Sequence, residues 1–310
     1  MILCVNANAA IDKTVVVSDF RLNAIQRPDW VRLSPGGKGC NVARALKRLG
    51  GAPVVTGWVG GHAGAFITDG LASEGIETAF VQVSPESRTC LSIVDPVNAT
   101  LTELYERGEP IAPEALDRFL NWYTEKIKAF EAVVLSGSLP PGVPTDLYAT
   151  LIVRAHSQGV FAALDSSGEA LALGLAAGPD LAKPNAHEFE ELLGHPLGSQ
   201  AEFAAAARDW AARTGGSLVV SLGSAGALCA NGSRAWLATP APIEVVSAVG
   251  SGDSLVAGCV LGLVHGMDLA TAVRSGVAAG TANALSLGAA QFTLDTYEQC
   301  LSEVRLQPLH

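Results

Sequence analysis

Charged and aromatic residues are both sparse in this chain. Asp, Glu, Lys and Arg make up 16% of its 310 residues and aromatics 6%, against 49% hydrophobic residues. Such a composition excludes an intrinsically disordered polymer and supplies a sizeable core. Basic residues are the scarcer sign, 20 against 30 acidic, for a net charge of −10. An extended binding face for nucleic acid or for an anionic membrane is thereby disfavoured. Any phosphate ligand must then be met by a few cations gathered in one place. The six cysteines, Cys4, Cys40, Cys90, Cys229, Cys259 and Cys300, never fall at metal-ligand or redox-motif spacing, so the expectation is reduced thiols and no zinc or iron–sulfur site. No basic leader with a cleavage site precedes the first strand-like segment, and the longest apolar run, after Asp253, stops at His265. Both point to a soluble, cytoplasmic protein. No internal repeat or low-complexity linker breaks the chain, which reads as a single domain over residues 1–310.

What is present centres on Ala248-Val249-Gly250-Ser251-Gly252-Asp253-Ser254, followed by an almost uninterrupted apolar run. This is the pattern of a tight loop opening a buried helix. Glycines there let successive N–H groups point into one concavity, and the first turn of the helix adds its own unpaired N–H groups. The result is an anion cradle with a carboxylate beside it, which suits phosphoryl transfer to a hydroxyl. Read alone, Asp253 is equally an ordinary N-terminal helix residue favoured by the dipole.

Along the chain, strand patterns at residues 1–7, 54–59, 132–136, 160–165, 181–183 and 217–222 alternate with helical ones at 145–158, 168–176, 186–193 and 200–213, and further helices are expected at 268–286 and 293–303. Repeated alternation predicts an α/β fold of three layers, a mainly parallel central sheet flanked by helices. Short strands at 79–83, 89–94 and 100–105, together with 13–17, read as a small antiparallel sheet standing off the main one, a lid inserted at about 12–33 and 79–107. Ser34 to Gly50 is a Gly-rich loop running into a helix, but Lys38 follows two glycines and no Ser or Thr follows it, so this is not a P-loop. Asp12, at a strand exit, reads equally as a ligand contact and as a turn aspartate bonding its own backbone.

Pro35-Gly36-Gly37-Lys38-Gly39-Cys40-Asn41-Val42-Ala43, Ser136-Gly137-Ser138, Asp165-Ser166-Ser167-Gly168, Lys183-Pro184-Asn185 with Glu188, Ser221-Leu222-Gly223 and Val249-Gly250-Ser251-Gly252-Asp253 occur in the order and spacing of a known family. The chain resembles the ribokinase-like sugar kinases, phosphofructokinase B group, over essentially its whole length. Lys38, Arg88 and the segment 102–108 are similar to those of the hexose-phosphate kinases in that group, such as 1-phosphofructokinase and tagatose-6-phosphate kinase. The resemblance implies ATP-dependent phosphorylation of a ketohexose phosphate, fructose 1-phosphate or tagatose 6-phosphate. It implies Asp253 as the base, with the amides of Gly250, Ser251 and Gly252 on the transferring phosphate. Asp12, Gly37, Asn41 and Ser136 would bind the sugar, and Lys38, Arg88 and Arg27 the phosphate it already carries. Lys183, Asn185, Ser221, Gly223, Gly226 and Asn283 would contact ATP, and Glu188 would hold Mg²⁺ through water. A monovalent cation such as K⁺ would sit near Ser247, Val249, Ser286 and Gly288, and a homodimer would form through the lids.

Other readings remain: a 6-phosphofructokinase, a kinase of an unphosphorylated sugar or nucleoside, and a catalytically silent sugar-phosphate sensor. A nicotinamide dehydrogenase is disfavoured because no glycine fingerprint follows the first strand.

Overall fold

A computed structural model describes residues 1–309. In chain order the elements are β1 (Ile2–Asn6), β2 (Ala10–Val16), β3 (Trp30–Gly36), α1 (Lys38–Arg48), β4 (Pro53–Gly60), α2 (Gly61–Ser73), β5 (Glu77–Val83), β6 (Arg88–Asp95), β7 (Thr100–Tyr105), α3 (Pro113–Lys126), β8 (Ala132–Ser136), α4 (Leu147–His156), β9 (Phe161–Asp165), α5 (Gly168–Ala176), β10 (Leu181–Ala182), α6 (Ala186–Leu193), α7 (Gln200–Thr214), β11 (Ser217–Ser221), β12 (Ala227–Asn231), β13 (Arg234–Thr239), α8 (Ser251–Val264), α9 (Leu269–Ala284), α10 (Leu294–Glu303) and β14 (Arg305–Leu309).

Ten strands form the main sheet in the order β14-β13-β12-β11-β10-β9-β8-β1-β4-β5. From β11 to β5 every pairing is parallel, and β12, β13 and β14 continue antiparallel. The parallel strands are apolar on both sides because helices cover both faces. In β1, Ile2 and Cys4 enter a core shared with α1, α2, α8, α9 and α10, while Leu3 and Val5 enter the opposite core under α3, α4, α5, α6 and α7. The period-2 alternation of a single strand thus serves both layers. Helix α8 runs inside the first layer, buried from Asp253 to Gly262, and this is why its sequence is apolar all round.

The second sheet has the order β3-β2-β6-β7. The outer pairs are antiparallel and the central β2–β6 pair is parallel. Residues 79–83, expected in this lid, instead belong to β5 at the edge of the main sheet, where Val54 pairs with Glu77 and Val59 with Gln82. The reason is the right-handed β4–α2–β5 crossover, which returns the chain parallel beside β4. An edge strand of either sheet shows the same half-polar alternation, so the pattern did not discriminate. Trp30 is 42% exposed on the lid. Among the described residues, no helix is long and apolar enough to cross a membrane.

Helices α8 and α9 touch through small residues. A Cβ on Gly258 would lie 2.8 Å from the Gly276 Cα and 2.9 Å from its nitrogen. Alanine gains up to about 1 kcal/mol of helix propensity over glycine, whereas overpacking a buried contact costs about 1–3 kcal/mol, so the clash dominates. Gly258→Ala should lower the unfolding free energy in urea titration; an unchanged or higher midpoint would show that the two helices separate without cost.

Candidate active site

The functional residues gather beyond the C-terminal ends of β1, β8, β9 and β10. Strand β1 has β4 on one side and β8 on the other, so the chain order reverses across it, the place where parallel sheets leave a crevice. Asn6, the last residue of β1, is buried and joins the strand to the glycine loop. Its Nδ2 donates to the Gly36 carbonyl at 3.0 Å and its Oδ1 accepts from the Gly39 N–H at 3.3 Å. Gly37 takes φ +98°, and a Cβ there would stand 2.3 Å from Asn6 Oδ1. Only glycine lets the loop approach this closely.

Two cavities meet at the first turn of α8. One, of about 310 Å³, is lined by Asp12, Gly37, Lys38, Asn41, Arg88, Ser136, Gly250 and Asp253, together with Asn8, Cys90 and Tyr105. The other, of about 360 Å³, is lined by Ser221, Gly223, Gly226, Ser251 and Gly252 and by the apolar residues Ile243, Val245, Leu255 and Val277. Gly250, in the left-handed conformation at φ +83°, turns the chain into the helix between them. One helical turn is therefore the partition, with Asp253 on the first side and Gly252 on the second. The first cavity is polar and bounded by cations; the second is a small-residue and aliphatic slot of the kind that takes a flat heterocycle.

Asp253 is 6% exposed and accepts a hydrogen bond from Asn41 Nδ2 at 2.8 Å. Burial pushes its carboxyl up to about 6, against the pull of Lys38, and the nearby Asp165 charge adds to the rise. Asp12 is likewise pushed up to about 6 by burial, with Arg44 and Arg88 drawing it down and Asp253 raising it. Arg88 donates from Nε and Nη2 to the Asn8 carbonyl, both at 3.2 Å, and from Nη1 to the Glu106 carbonyl at 2.8 Å. These bonds hold the lid strand β6 against the exit of β1.

Asp165, at the end of β9, was part of a motif but was given no role in the sequence reading. Its Oδ1 receives Lys38 Nζ at 3.1 Å and Lys183 Nζ at 3.2 Å. Burial alone would raise this carboxyl; Lys183 and then Lys38 reverse the effect and hold it below the usual range. The same contact raises Lys38 above the ordinary lysine value. Asp165 Oδ2 and Ser136 Oγ are buried with no hydrogen-bond partner in the chain, and a buried polar atom of this kind is open to a partner from water or a ligand.

Several expected positions lie off the walls of both cavities, Lys183 among them. Arg27 is exposed in the β2–β3 connection and does not line the cavity within its own chain. Asn283 contacts the loop rather than the second cavity: its Nδ2 donates to the Val249 carbonyl at 2.8 Å and to Ser251 Oγ at 3.0 Å, and its Oδ1 accepts from the Ala290 N–H. A buried carboxamide has the donors and acceptor to tie the Val249–Ser251 loop to the backbone at Ala290, and α9 carries it there. Asn185 and Glu188 form a capping box on α6, each side chain accepting the other's backbone N–H at 2.8 Å. Neither lines a cavity, and one carboxylate oxygen of Glu188 is committed to the cap. Ser247, Val249 and Ser286 lie about the Asn283 clamp: Ser286 Oγ donates to the Asn283 carbonyl at 2.9 Å, and the Val249 N–H donates to Ser247 Oγ at 3.4 Å; Gly288 stands beside Arg32 and Gln291.

A buried carboxylate in a cavity bounded by cations, a helix N-terminus at its rim and a second, aliphatic slot beyond it are the arrangement expected of a small-molecule kinase. Residues 3–296 match the family described as pfkB family carbohydrate kinase. The chain is 38% identical to a 1-phosphofructokinase from Rhodobacter capsulatus over 93% of its own length and 90% of the relative's. It is 30% identical to a tagatose-6-phosphate kinase from Staphylococcus epidermidis over 99% of both. Among solved structures, phosphofructokinase-2 from Escherichia coli in complex with potassium superposes with a TM-score of 0.90 at 30% identity, covering 97% of this chain and 98% of the other. The chain belongs to the pfkB family of carbohydrate kinases.

Asp165→Asn should remove about 3–5 kcal/mol of stability at neutral pH by leaving a lysine buried without its counter-charge. Most of that loss comes through Lys183, because Lys38 is partly solvated. The carboxyl is depressed in the fold, so the parent's advantage is present above the ordinary aspartate value of about 4 and fades as pH falls through the lower native one. Urea titrations of both proteins across that range would reveal a pH-independent difference if the charge pairing were immaterial.

Proposed function

We propose that the protein transfers the γ-phosphate of ATP to a primary hydroxyl of a ketohexose phosphate, fructose 1-phosphate or tagatose 6-phosphate, giving the bisphosphate. The observation that carries this reading is the single turn Gly250–Asp253, which bounds both cavities and has the carboxylate on the side of the cations. Asp253 accepts the hydroxyl proton as the oxygen attacks. The N–H groups of Gly250, Ser251 and Gly252 lie where negative charge builds on the transferring phosphate. Asp12 and Asn41 bind sugar hydroxyls, Lys38 and Arg88 hold the phosphate already present, and Lys183 spans from Asp165 toward Gly252. Arginine grips a phosphate through a fork and lysine adds a point charge, so together they select an anion by shape and charge. Names of relatives at 38% and 33% identity, both 1-phosphofructokinases, favour fructose 1-phosphate as the first acceptor to assay.

Mg²⁺ fits this set through water and the nucleotide's own oxygens: Asp165 keeps an unpartnered oxygen and Glu188 engages only Oε2 in its cap. Its chemistry would be to neutralise charge on the phosphates. A K⁺ ion near Ser247, Val249, Ser286 and Gly288 would brace the loop that Asn283 clamps. Two copies joined through their lids complete the proposal. Val31, Leu33, Leu101, Leu104 and Tyr105 are exposed on the lid, and a second copy would cover both these side chains and the open edge of β7.

ADP release from MgATP is to be measured with fructose 1-phosphate, tagatose 6-phosphate, fructose 6-phosphate, free fructose and ribose, with and without K⁺. Phosphosugars should be turned over and free sugars not. Asp253→Asn should lose roughly 10²- to 10⁴-fold in turnover with ATP affinity little changed, and Arg88→Ala should raise KM for the phosphosugar. Because Asp253 is raised to about 6 and acts as its anion, the parent rate should fall as pH drops through that value. Full turnover in Asp253→Asn would end the base assignment. Turnover of free sugar alone would transfer the reading to a neutral-sugar kinase.

Sedimentation equilibrium should give the mass of a dimer, and Leu104→Glu should shift it toward the monomer. A monomeric parent would refute the lid interface.

A further inference from the structure

Arg44 is 4% exposed, lies one turn beyond Asn41 on α1, and has had no part in the chemistry so far. Its guanidinium reaches three elements at once. Nη1 donates to Asn41 Oδ1 at 3.1 Å, Nη2 to the Pro35 carbonyl at 2.5 Å, and Nε to Glu74 Oε2 at 2.5 Å. Pro35 belongs to β3 just before the Gly36-Gly37-Lys38 turn, and Glu74 closes the C-terminus of α2. A guanidinium can only donate. The oxygen of the Asn41 carboxamide must therefore face Arg44, which leaves its NH₂ facing Asp253 Oδ2. Turned over, the same carboxamide would set an oxygen against the carboxylate.

We propose that Arg44, backed by Glu74, is a positioning residue for the base: it holds the Asn41 carboxamide in the one orientation that donates to Asp253. This rests on Asp253 being the base. A lysine could not serve, because a single ammonium on a flexible stem cannot fix three acceptors lying on separate elements.

The consequence is electrical. Asp253 faces Lys38 and Asn41 from α1, Asp12 from β2, Asp165 from β9 and Lys183 from the loop after β10. Burial and the two aspartates favour the protonated form, while the lysines and the Asn41 N–H favour the anion. Arg44 is not among the largest influences on Asp253, and its contact with the base runs through Asn41. Arg44 also lowers Asp12, so the sugar must be saturating for the base to be read by itself.

The test is the pH dependence of the chemical step, by single-turnover rapid mixing with saturating MgATP and whichever phosphosugar turns over faster. Arg44→Met should move the acid limb up by about one pH unit, an about tenfold slower step below it, and return near the parent rate by about pH 9. Glu74→Gln should move it less, in the same direction. Arg44→Met added to Asn41→Ala should produce no further shift, since both act at one contact. An even loss of rate at all pH values with an unmoved limb, or an Arg44 shift that adds in full to that of Asn41→Ala, would overturn the proposal. If Arg44→Met does not fold, Glu74→Gln alone and on the Asn41→Ala background is read by the same two criteria. Asp253→Asn separates the two levels: retained turnover there removes the base and this proposal together, whereas an inactive Asp253→Asn with an unmoved limb in the Arg44 or Glu74 variant overturns the proposal alone.

Discussion

A carboxylate is buried in the first turn of a helix that is apolar on every side, and much of the site is arranged around it. The first turn of α8 supplies unpaired N–H groups and the positive end of the helix dipole, which favour an anion. Burial opposes them, and Asp253 settles at about 6 rather than at the ordinary value for an aspartate. That is high enough for the group to take a proton from a hydroxyl and low enough to be charged at neutral pH. Asn41, Lys38 and Lys183 each shift this balance toward the anion, the first two from α1 and the third from the loop after β10.

The shortage of positive charge takes on meaning in this setting. With only 20 basic residues, the protein places Lys38, Lys183, Arg44 and Arg88 around one crevice. Buried cations are costly without partners, and here acidic groups or carbonyls meet them: Asp165 for both lysines, Glu74 and Pro35 for Arg44, the Asn8 and Glu106 carbonyls for Arg88. Asp165 also links the two halves of the site, since Lys38 lines the first cavity and Lys183 approaches Gly252 beside the other.

Much of this was legible before any coordinates. The buried helix at α8 was announced by glycines, an aspartate and an apolar run, because a helix enclosed in a layer must be apolar all round. The strand exits were legible because parallel strands are short apolar runs ending in small polar residues. Helix α3 and the terminal strand β14 were not read. Pro113 starts the helix in a stretch that otherwise looks like loop, and Pro308 argues against a strand unless that strand is at an edge, as it is. The placement of residues 79–83 failed for a related reason, since period-2 alternation identifies a half-exposed strand without naming its sheet.

The order of motifs, the helix that carries Asp253 and the two-faced strands were determined by local sequence, because backbone conformation and side-chain periodicity are set within a few residues. Which charges meet was decided only by the tertiary structure. Lys38 and Asp165 are 127 residues apart, Asn41 and Asp253 are 212 apart, and Asn283 reaches back 34 residues to Val249. Electrostatic and hydrogen-bonding energies depend on distance and burial in space, and the linear spacing of residues carries neither until the sheet brings the ends of its strands together.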